Sequence, residues 1–152
     1  MNFKTKERNE VLTGTYNHAL DPKGRLIIPA RLREELGEGF VITRNMDKCL
    51  SIYPKSEWEA LTEKLNALPL ISSEPARRIT RAICGNSSVP EVDKQGRILI
   101  PQHLRDYAGL TKEITFVGAN RLVEIWDTKT WEKYNSSIDL GDIAYNLNGI
   151  DL

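Results

Sequence analysis

Short apolar stretches separated by turn-forming residues make up the pattern of the first third of the chain. The segment "TYNHAL" (15–20) predicts a strand, and the continuous apolar run "RLIIP" (25–29) predicts a second strand that is buried on both faces. The intervening "DPKG" begins with Asp, continues with a proline of fixed φ and ends with Gly. The pattern therefore predicts a tight reversal between two strands.

A short helix and two more strands follow this reversal. Pro29 suits the first turn of a helix, Leu32 and Leu36 lie four residues apart on one side, and Gly37 is placed to end it. The segments "FVIT" and "LSIYP" then predict two strands on either side of "RNMDKC". One unit is thus predicted to hold four short strands and one short helix.

The same pattern occurs twice. The segment "DPKGRLIIPARLREELG" (21–37) is matched by "DKQGRILIPQHLRDYAG" (93–109), 72 positions later. After one inserted residue the offset becomes 73, and Tyr53 and Trp58 then match Trp126 and Trp131. So many matches in type and order indicate a duplicated unit of about 43 residues.

Two helices are predicted between the repeats. "SEWE" (56–59) has the spacing of a capping box, in which Ser56 faces Glu59. A helical apolar stripe follows it, formed by Trp58, Leu61, Leu65 and Leu68. "PLISSEP" (69–75) interrupts this helix, and a second helix is predicted from about Glu74 to Cys84, closed by Gly85.

One unit of four short strands cannot bury its faces or satisfy its edges alone. Two copies related by a pseudo-twofold axis can interlock and close a small barrel. We therefore predict a mainly β fold with α-helices: a small β-barrel, built in one chain from two internal βαββ-type repeats and capped by helices. The predicted segments are repeat 1 at 15–57, linking helices at 58–85, repeat 2 at 86–129, and a C-terminal helix and tail at 130–152.

Composition adds little about partners. Lys plus Arg and Asp plus Glu both total 21 in 152 residues, so the formal net charge is zero and bulk charge indicates no partner. No apolar run approaches the length needed to cross a bilayer. Cys49 and Cys84 lie far apart without CxxC spacing, which argues against a disulfide framework and a zinc site. We expect a cytoplasmic protein without a metal ion or other cofactor.

The residues Asp21, Gly24, Asp93 and Gly96 have a structural interpretation. Each Asp is expected to form a cross-strand ion pair with the Arg four positions later, and each Gly is expected to supply a positive φ. The exposed cations of the two loops are Lys23, Arg25, Lys94 and Arg97. Arg can donate two hydrogen bonds to guanine O6 and N7, and Lys can neutralise phosphate. Solvated surface charge is the alternative interpretation of these cations.

The doubled D-x-x-G-R elements, together with "YPKSEW", "WDTKTW" and "EPARRITRAICG", resemble the MraZ family over residues from about 14 to 135. This resemblance implies a swapped-hairpin (double-split) β-barrel, related to the AbrB and MazE DNA binders. It also implies a transcription regulator of the bacterial division and cell-wall gene cluster. Such a protein binds short G-rich direct repeats of double-stranded DNA upstream of its own gene, assembles into a homo-oligomeric ring and associates with the nucleoid.

Within the family motif, the Arg of D-x-x-G-R is the DNA-contacting position. The resemblance therefore assigns this role to Arg25 and, by repeat symmetry, to Arg97. Gln95 stands where the first copy has Lys23, so we expect weaker phosphate binding by the second loop.

Several other features keep two interpretations. Arg77, Arg78 and Arg81 form either a solvated or a subunit-facing helix surface, with DNA contact as the weaker alternative. Arg31, Arg33 and Arg105 reach either phosphate or the nearby carboxylates of Glu34, Glu35 and Asp106. The three tryptophans are expected to anchor core or subunit contacts rather than to stack on bases.

Two other classes of function compete with DNA binding. No nucleophile–base pair, phosphate-cradling loop or carboxylate dyad recurs with useful spacing, so the sequence indicates neither an enzyme nor a small-molecule substrate. A protein-interaction module of the antitoxin type is the alternative, with the acidic segment after Tyr134 as the binding tail.

Overall fold

The computed structural model describes residues 11–147 and residue 149, so positions 148 and 150–152 of the predicted tail lie outside the described residues. The elements in chain order are β1 (Thr15–Ala19), β2 (Arg25–Ile27), α1 (Ala30–Leu36), β3 (Val41–Arg44), β4 (Leu50–Tyr53), α2 (Lys55–Asn66), α3 (Glu74–Cys84), β5 (Arg97–Leu99), α4 (Gln102–Ala108), β6 (Glu113–Gly118), β7 (Val123–Asp127), α5 (Thr128–Ser136) and α6 (Leu140–Tyr145). None of these helices is long and apolar enough to span a bilayer.

Both repeats contribute strands to the larger sheet. Its order is β1-β6-β7-β4-β3, and every neighbouring pair is antiparallel. β1 of the first repeat pairs with β6 of the second, and β4 pairs with β7 at the centre, where Leu50 lies opposite Ile125. Neither repeat therefore builds this sheet from its own strands alone.

The two D-x-x-G-R segments pair with each other in a separate two-stranded ribbon. β2 and β5 are antiparallel, and Leu26 lies opposite Ile98 at the centre. The pairing continues past both ends, because the Ile28 amide donates to the Gly96 carbonyl at 3.1 Å and the Ile100 amide donates to the Gly24 carbonyl at 2.9 Å. The local twofold relation between the repeats passes through this ribbon.

The core lies between the ribbon and the larger sheet. One face of the ribbon is inaccessible to solvent, and it belongs to a single apolar cluster with side chains of the larger sheet and of α1 and α4. The fully buried members include Leu26, Ile28, Ile98, Ile100, Leu32, Leu104, Ile42, Ile52, Phe116 and Ile125. Because each repeat contributes to both sheets, the core belongs to the interlocked pair of repeats.

This architecture confirms the predicted fold class. The fold is mainly β with α-helices, and the hairpins of two internal repeats are swapped. In the described residues, backbone pairing leaves the five-stranded sheet and the two-stranded ribbon as separate sheets, so the barrel is split rather than continuously closed.

The prediction that "RLIIP" is buried on both faces was wrong. Ile27 is 42% exposed, and its repeat equivalent Leu99 is 56% exposed. The inner face of the ribbon packs on the core. No other element in the described part of the chain covers its outer face. An apolar run cannot distinguish a strand buried on both faces from one that is buried on one face.

The second repeat also departs from the predicted plan of four strands. The segment equivalent to β1 makes one isolated bridge, in which Ser88 and Ile42 exchange two backbone hydrogen bonds of 2.9 Å. Pro90 stands two residues later, at the position equivalent to His18 of β1. Because proline has no amide hydrogen, it cannot continue the ladder beside β3.

The linking helices are present, with one correction. α2 begins at Lys55 after Pro54, and no side chain caps its first turn, so the predicted capping box at Ser56 was wrong. The bounds predicted for α3 are confirmed: Ser73 Oγ accepts a hydrogen bond from the Ala76 amide, and Gly85 is the C-cap. α3 packs on β3, and α5 packs on β6 and β7.

The predicted packing role of the tryptophans is supported by two equivalent aromatic pairs. Tyr53 and Trp58 have ring centroids 5.9 Å apart, and Trp126 and Trp131 have centroids 5.4 Å apart. Each pair joins the last strand of a repeat to the helix that follows it. Trp126 is only 2% exposed, and its indole Nε1 donates to Glu124 Oε1 at 2.9 Å.

We expect the inner face of the ribbon to dominate the stability of both repeats. Leu26→Ala deletes a fully buried side chain and leaves a cavity between the sheets, so the free energy of unfolding should fall by about 2–5 kcal/mol. Leu99→Ala, on the outer face, should change it by less than about 1 kcal/mol. Urea titrations of both variants measure these values, and equal losses would contradict the one-sided burial of the ribbon.

Candidate functional site

The carboxylate of Asp21 accepts hydrogen bonds that close the loop beginning at this residue. Asp21 Oδ1 accepts hydrogen bonds from the backbone amides of Lys23 (2.9 Å) and Arg25 (2.8 Å), and Oδ2 accepts from Arg25 Nε at 2.6 Å. The Gly24 amide also donates to the Asp21 carbonyl at 2.9 Å, with Gly24 at φ +86°. The carboxylate therefore orders the loop backbone and holds the guanidinium of Arg25 at its base.

The second loop repeats this geometry with different tip residues. Asp93 Oδ1 accepts from the amides of Gln95 and Arg97, both at 2.9 Å, and Oδ2 accepts from Arg97 Nε at 2.7 Å. Gly96 has φ +80°. The ion pairs and positive φ values expected of the two Asp and two Gly residues are present in both loops.

These contacts lower the pKa of both loop carboxyls below the ordinary value of Asp. For Asp21 the largest cause is the hydrogen bond from the Arg25 amide, and for Asp93 it is the hydrogen bond from the Arg97 amide. Each carboxylate consequently stays ionised at neutral pH, and its arginine stays paired.

The register of the ribbon places both arginines on its outer face. Arg25 lies directly opposite Leu99, and Arg97 lies directly opposite Ile27. Opposed residues share a face of the sheet, and this face is opposite to the one that carries Leu26 into the core. The two loop tips lie at opposite ends of the ribbon, because β2 and β5 are antiparallel. Arg25 and Arg97 are thus diagonal neighbours on one surface.

The terminal Nη atoms of both arginines take no part in the hydrogen bonds to Asp21 and Asp93. Each Nε donates to its Asp, and the side chains remain 35% and 28% exposed. Among residues 11–147, the structure shows no acceptor for the Nη atoms of either arginine. A planar guanidinium fixed at one edge can still donate two parallel hydrogen bonds from the other.

Lys23 and Lys94 are both exposed at the loop tips. They occupy different tip positions, because Lys23 corresponds to Gln95 and Lys94 corresponds to Pro22 under the repeat alignment. Each tip therefore carries one lysine, and the second tip retains a cation despite Gln95.

A second pair of arginines crosses between the repeats. A Cβ added to Gly24 would lie 2.7 Å from Arg105 Cζ, and a Cβ added to Gly96 would overlap Arg33 Nη1. Arg105 Nε also donates to the Ile100 carbonyl at 2.9 Å. Each loop glycine is thus covered by a guanidinium from the other repeat, which adds a further cation to each end of the ribbon.

The sequence alone did not predict that Arg33 and Arg105 contact the loops of the opposite repeats. The two arginines occupy equivalent positions 72 apart, as do the loop glycines Gly24 and Gly96. This shared spacing was the only sequence signal for a symmetric contact between them. Ion pairs with Glu34, Glu35 and Asp106 were the alternative, but the described residues show none, and Gln102 Nε2 instead donates to Asp106 Oδ1 at 2.7 Å.

The arginines of α3 divide between two roles. Arg77 Nη1 donates to the carbonyls of Leu70 (2.9 Å) and Ile71 (3.1 Å), so this side chain fixes the turn between α2 and α3. Arg78 and Arg81 are exposed. The interpretation of α3 as a partly solvated surface therefore fits Arg78 and Arg81, and Arg77 has a structural role.

Other chemistry is sparse in the described part of the chain. No group of three or more His, Cys, Asp or Glu side chains there has the arrangement of a metal site. Cys49 is fully buried, and burial raises the pKa of its thiol, with a further contribution from the Glu124 carboxylate. A protonated, buried thiol is unsuited to nucleophilic chemistry.

Comparisons with known proteins agree on one family. The family model described as "MraZ protein, putative antitoxin-like" matches residues 11–82 and again residues 83–144. A Heliobacterium modesticaldum protein named "Transcriptional regulator MraZ" is 54% identical over 141 residues, which cover 91% of this chain and 98% of that protein. Proteins of the same name from Caldanaerobacter subterraneus subsp. tengcongensis and Clostridium acetobutylicum are 46% and 44% identical, over 93% and 91% of this chain and 100% and 98% of theirs.

We expect the loop carboxylates to make stability depend on acid pH. Their pKa values are lowered in the folded state, so the unfolded chain binds more protons as the pH falls through the ordinary range of Asp. Stability from these groups is therefore present above about pH 4 and lost below it. Urea titrations at about pH 6 and pH 3 should show a smaller acid loss for Asp21→Asn/Asp93→Asn than for the wild type; an equal loss would contradict the linkage.

We also expect Gly24 to be needed for two separable reasons. Gly24→Ala should lower the free energy of unfolding by about 1–2 kcal/mol because of its positive φ, and should also displace Arg105. Gly37→Ala is the matched control, since Gly37 has φ +70° but no neighbour within 4 Å of an added Cβ. The NMR signal of Arg105 Nε–H should shift in the first variant alone. A shift of similar size in both would contradict the close approach.

Proposed function

Because this chain belongs to the MraZ family, we propose that it is a transcriptional regulator that binds double-stranded DNA in a sequence-specific way. The main support for DNA contact is the outer face of the β2–β5 ribbon, on which two arginines are held in place by hydrogen bonds. The major groove of B-DNA admits a two-stranded β-ribbon. This ribbon has its apolar side in the core and its cationic side outward.

Arg25 and Arg97 are the proposed base-reading residues. Their Nε atoms are held by Asp21 and Asp93, so little side-chain freedom remains to be lost on binding. The terminal Nη atoms match guanine O6 and N7, the commonest specific contact that arginine makes in the major groove. G-rich sites are the expected targets for this reason.

The surrounding cations are the proposed phosphate contacts. Lys23 and Lys94 are exposed at the two tips, and Arg105 and Arg33 lie over the glycines of the same loops. Phosphate contacts set the register and orientation of a protein on the duplex without specifying the sequence. We expect them to produce most of the salt dependence of binding.

The family resemblance supplies the finer part of the proposal. We infer that the chain binds G-rich direct repeats upstream of its own gene, in a cytoplasmic, nucleoid-associated role within a division and cell-wall gene cluster. We further infer a ring of several subunits, each contributing one ribbon. Linked weak contacts raise affinity through effective concentration, which explains how a chain of zero formal net charge can bind DNA. The role requires neither catalysis nor a cofactor.

A protein-interaction role of the antitoxin type is the second candidate. The observation that favours it is the apolar exposure of α6, where Leu140 is 78% exposed and Tyr145 is 86% exposed. A stoichiometric small protein that co-purifies with the full chain, and is absent when Leu140→Ser is introduced, would support this role. Purification of the full chain alone would count against it.

We expect Arg25→Ala to weaken promoter binding by about 10- to 100-fold, because the variant removes one bidentate hydrogen-bonding group for guanine from each subunit. Fluorescence anisotropy measures this with labelled duplex from upstream of the gene and with a scrambled duplex, at about 50 mM and about 200 mM salt. Arg97→Ala should act in the same direction.

Two further variants separate charge from geometry. Arg25→Lys keeps the cation but not the fork, so it should retain binding to scrambled DNA and lose the preference for the promoter. Arg121→Ala, whose side chain pairs with Glu57 at 3.2 Å, is the charge-matched control and should bind like the wild type. Unchanged promoter affinity in Arg25→Ala would show that the assigned contact is wrong.

A further inference from the structure

Two apolar side chains stand between the arginines on the outer face of the ribbon. Ile27 and Leu99 are equivalent residues of the two repeats, 72 positions apart, and both are exposed. Their neighbours along the strand, Leu26 and Ile98, are buried and carry the packing of the ribbon. The exposed pair therefore contributes little to the core.

The register makes each apolar residue the direct partner of an arginine. Leu99 lies opposite Arg25, and Ile27 lies opposite Arg97. Directly opposed side chains in an antiparallel pair have Cβ atoms about 5 Å apart, whereas successive base pairs rise by about 3.4 Å. A side chain opposite a guanine-binding arginine would therefore meet a base one or two steps from that guanine.

The major groove offers one apolar group at the base edges, which is the C5-methyl group of thymine. We propose that Ile27 and Leu99 select thymine by contacting this methyl group, one or two base pairs from the guanine that Arg97 or Arg25 contacts. This inference rests on the proposed DNA-binding function and deepens it. The ribbon would then recognise two bases, guanine through an arginine and thymine through the apolar residue opposite it.

Charge complementarity favours DNA as the occupant of this face. Both loop tips carry exposed lysines, and Arg33 and Arg105 flank the same loops. The same face of a second copy would bring cations against cations, whereas the duplex presents phosphates on both sides of the groove. A depression of about 440 Å³ adjoins this surface, and its lining includes Arg25, Arg97 and Leu99.

Replacement of thymine by deoxyuridine tests the contact directly, because it removes only the methyl group. The probe is the duplex from upstream of the gene, prepared once with thymine and once with deoxyuridine throughout. Wild type should bind the deoxyuridine duplex about three- to fivefold more weakly if one methyl group is contacted, and about tenfold or more weakly if two are contacted. The measurement is anisotropy at fixed salt.

The double variant Ile27→Ala/Leu99→Ala completes the cycle. It should bind the thymine duplex as weakly as wild type binds the deoxyuridine duplex, and it should not distinguish the two. Ile71→Ala is the control, because Ile71 is 98% exposed and lies between α2 and α3. This control should keep the wild-type preference, and urea titration should show that all variants are folded.

Three outcomes would overturn the proposal. Wild type could bind both duplexes equally, or the double variant could keep the full preference for thymine. The double variant could instead change the size of the assembly in light scattering, which would make the apolar pair a contact between subunits. Failure of the proposed function is a different result, because it appears as equal binding of promoter and scrambled duplexes that both contain thymine.

Discussion

The antiparallel pairing of β2 with β5 is the interaction on which the rest of the molecule depends. Its inner residues, Leu26 and Ile98, carry the ribbon into the core, and its backbone ties Ile28 and Ile100 to the loop glycines of the opposite repeat. The same pairing turns the alternate residues outward. A slip of one residue would exchange the two faces, so that arginines would enter the core and leucine would enter solvent. Core stability therefore fixes the register that orients the arginines.

Structural and functional roles coincide in the D-x-x-G-R loop. One carboxylate closes the backbone turn and also holds the Nε atom of the arginine, as Asp21 does for Arg25. The glycine permits the turn at positive φ and also admits a guanidinium from the other repeat. An aspartate and a glycine that have ordinary structural explanations thus limit the motion of the arginine for which we propose DNA contact. Rigidity at this point reduces the entropy cost of binding.

The two repeats are equivalent in the ribbon and different at the edges. The ion pairs, the loop glycines and the crossing arginines occur in both copies, and the two ion pairs have nearly the same distances. At the edge of the larger sheet, the second copy has a single bridge at Ser88 where the first copy has all of β1, because Pro90 interrupts the ladder. The duplication is thus retained most closely where the repeats contact each other and form the outer face.

The sequence by itself determined the repeat, the bounds of α3, the loop chemistry and the mainly β swapped fold, together with the residues of both loops. The bounds of α3 and the loop chemistry depend on short-range patterns, such as a capping residue, a proline or a glycine in a turn. The repeat is visible as a nearly constant offset of 72 or 73 positions, and the swapped fold follows from the resemblance to a known family. Only the tertiary structure decided that the ribbon is buried on one face, that Arg25 and Arg97 share a surface, and that Arg33 and Arg105 cover the loops of the opposite repeats. The reason is that these relations follow from pairing between residues about 70 positions apart, where the partner and the register are set by burial of the whole core.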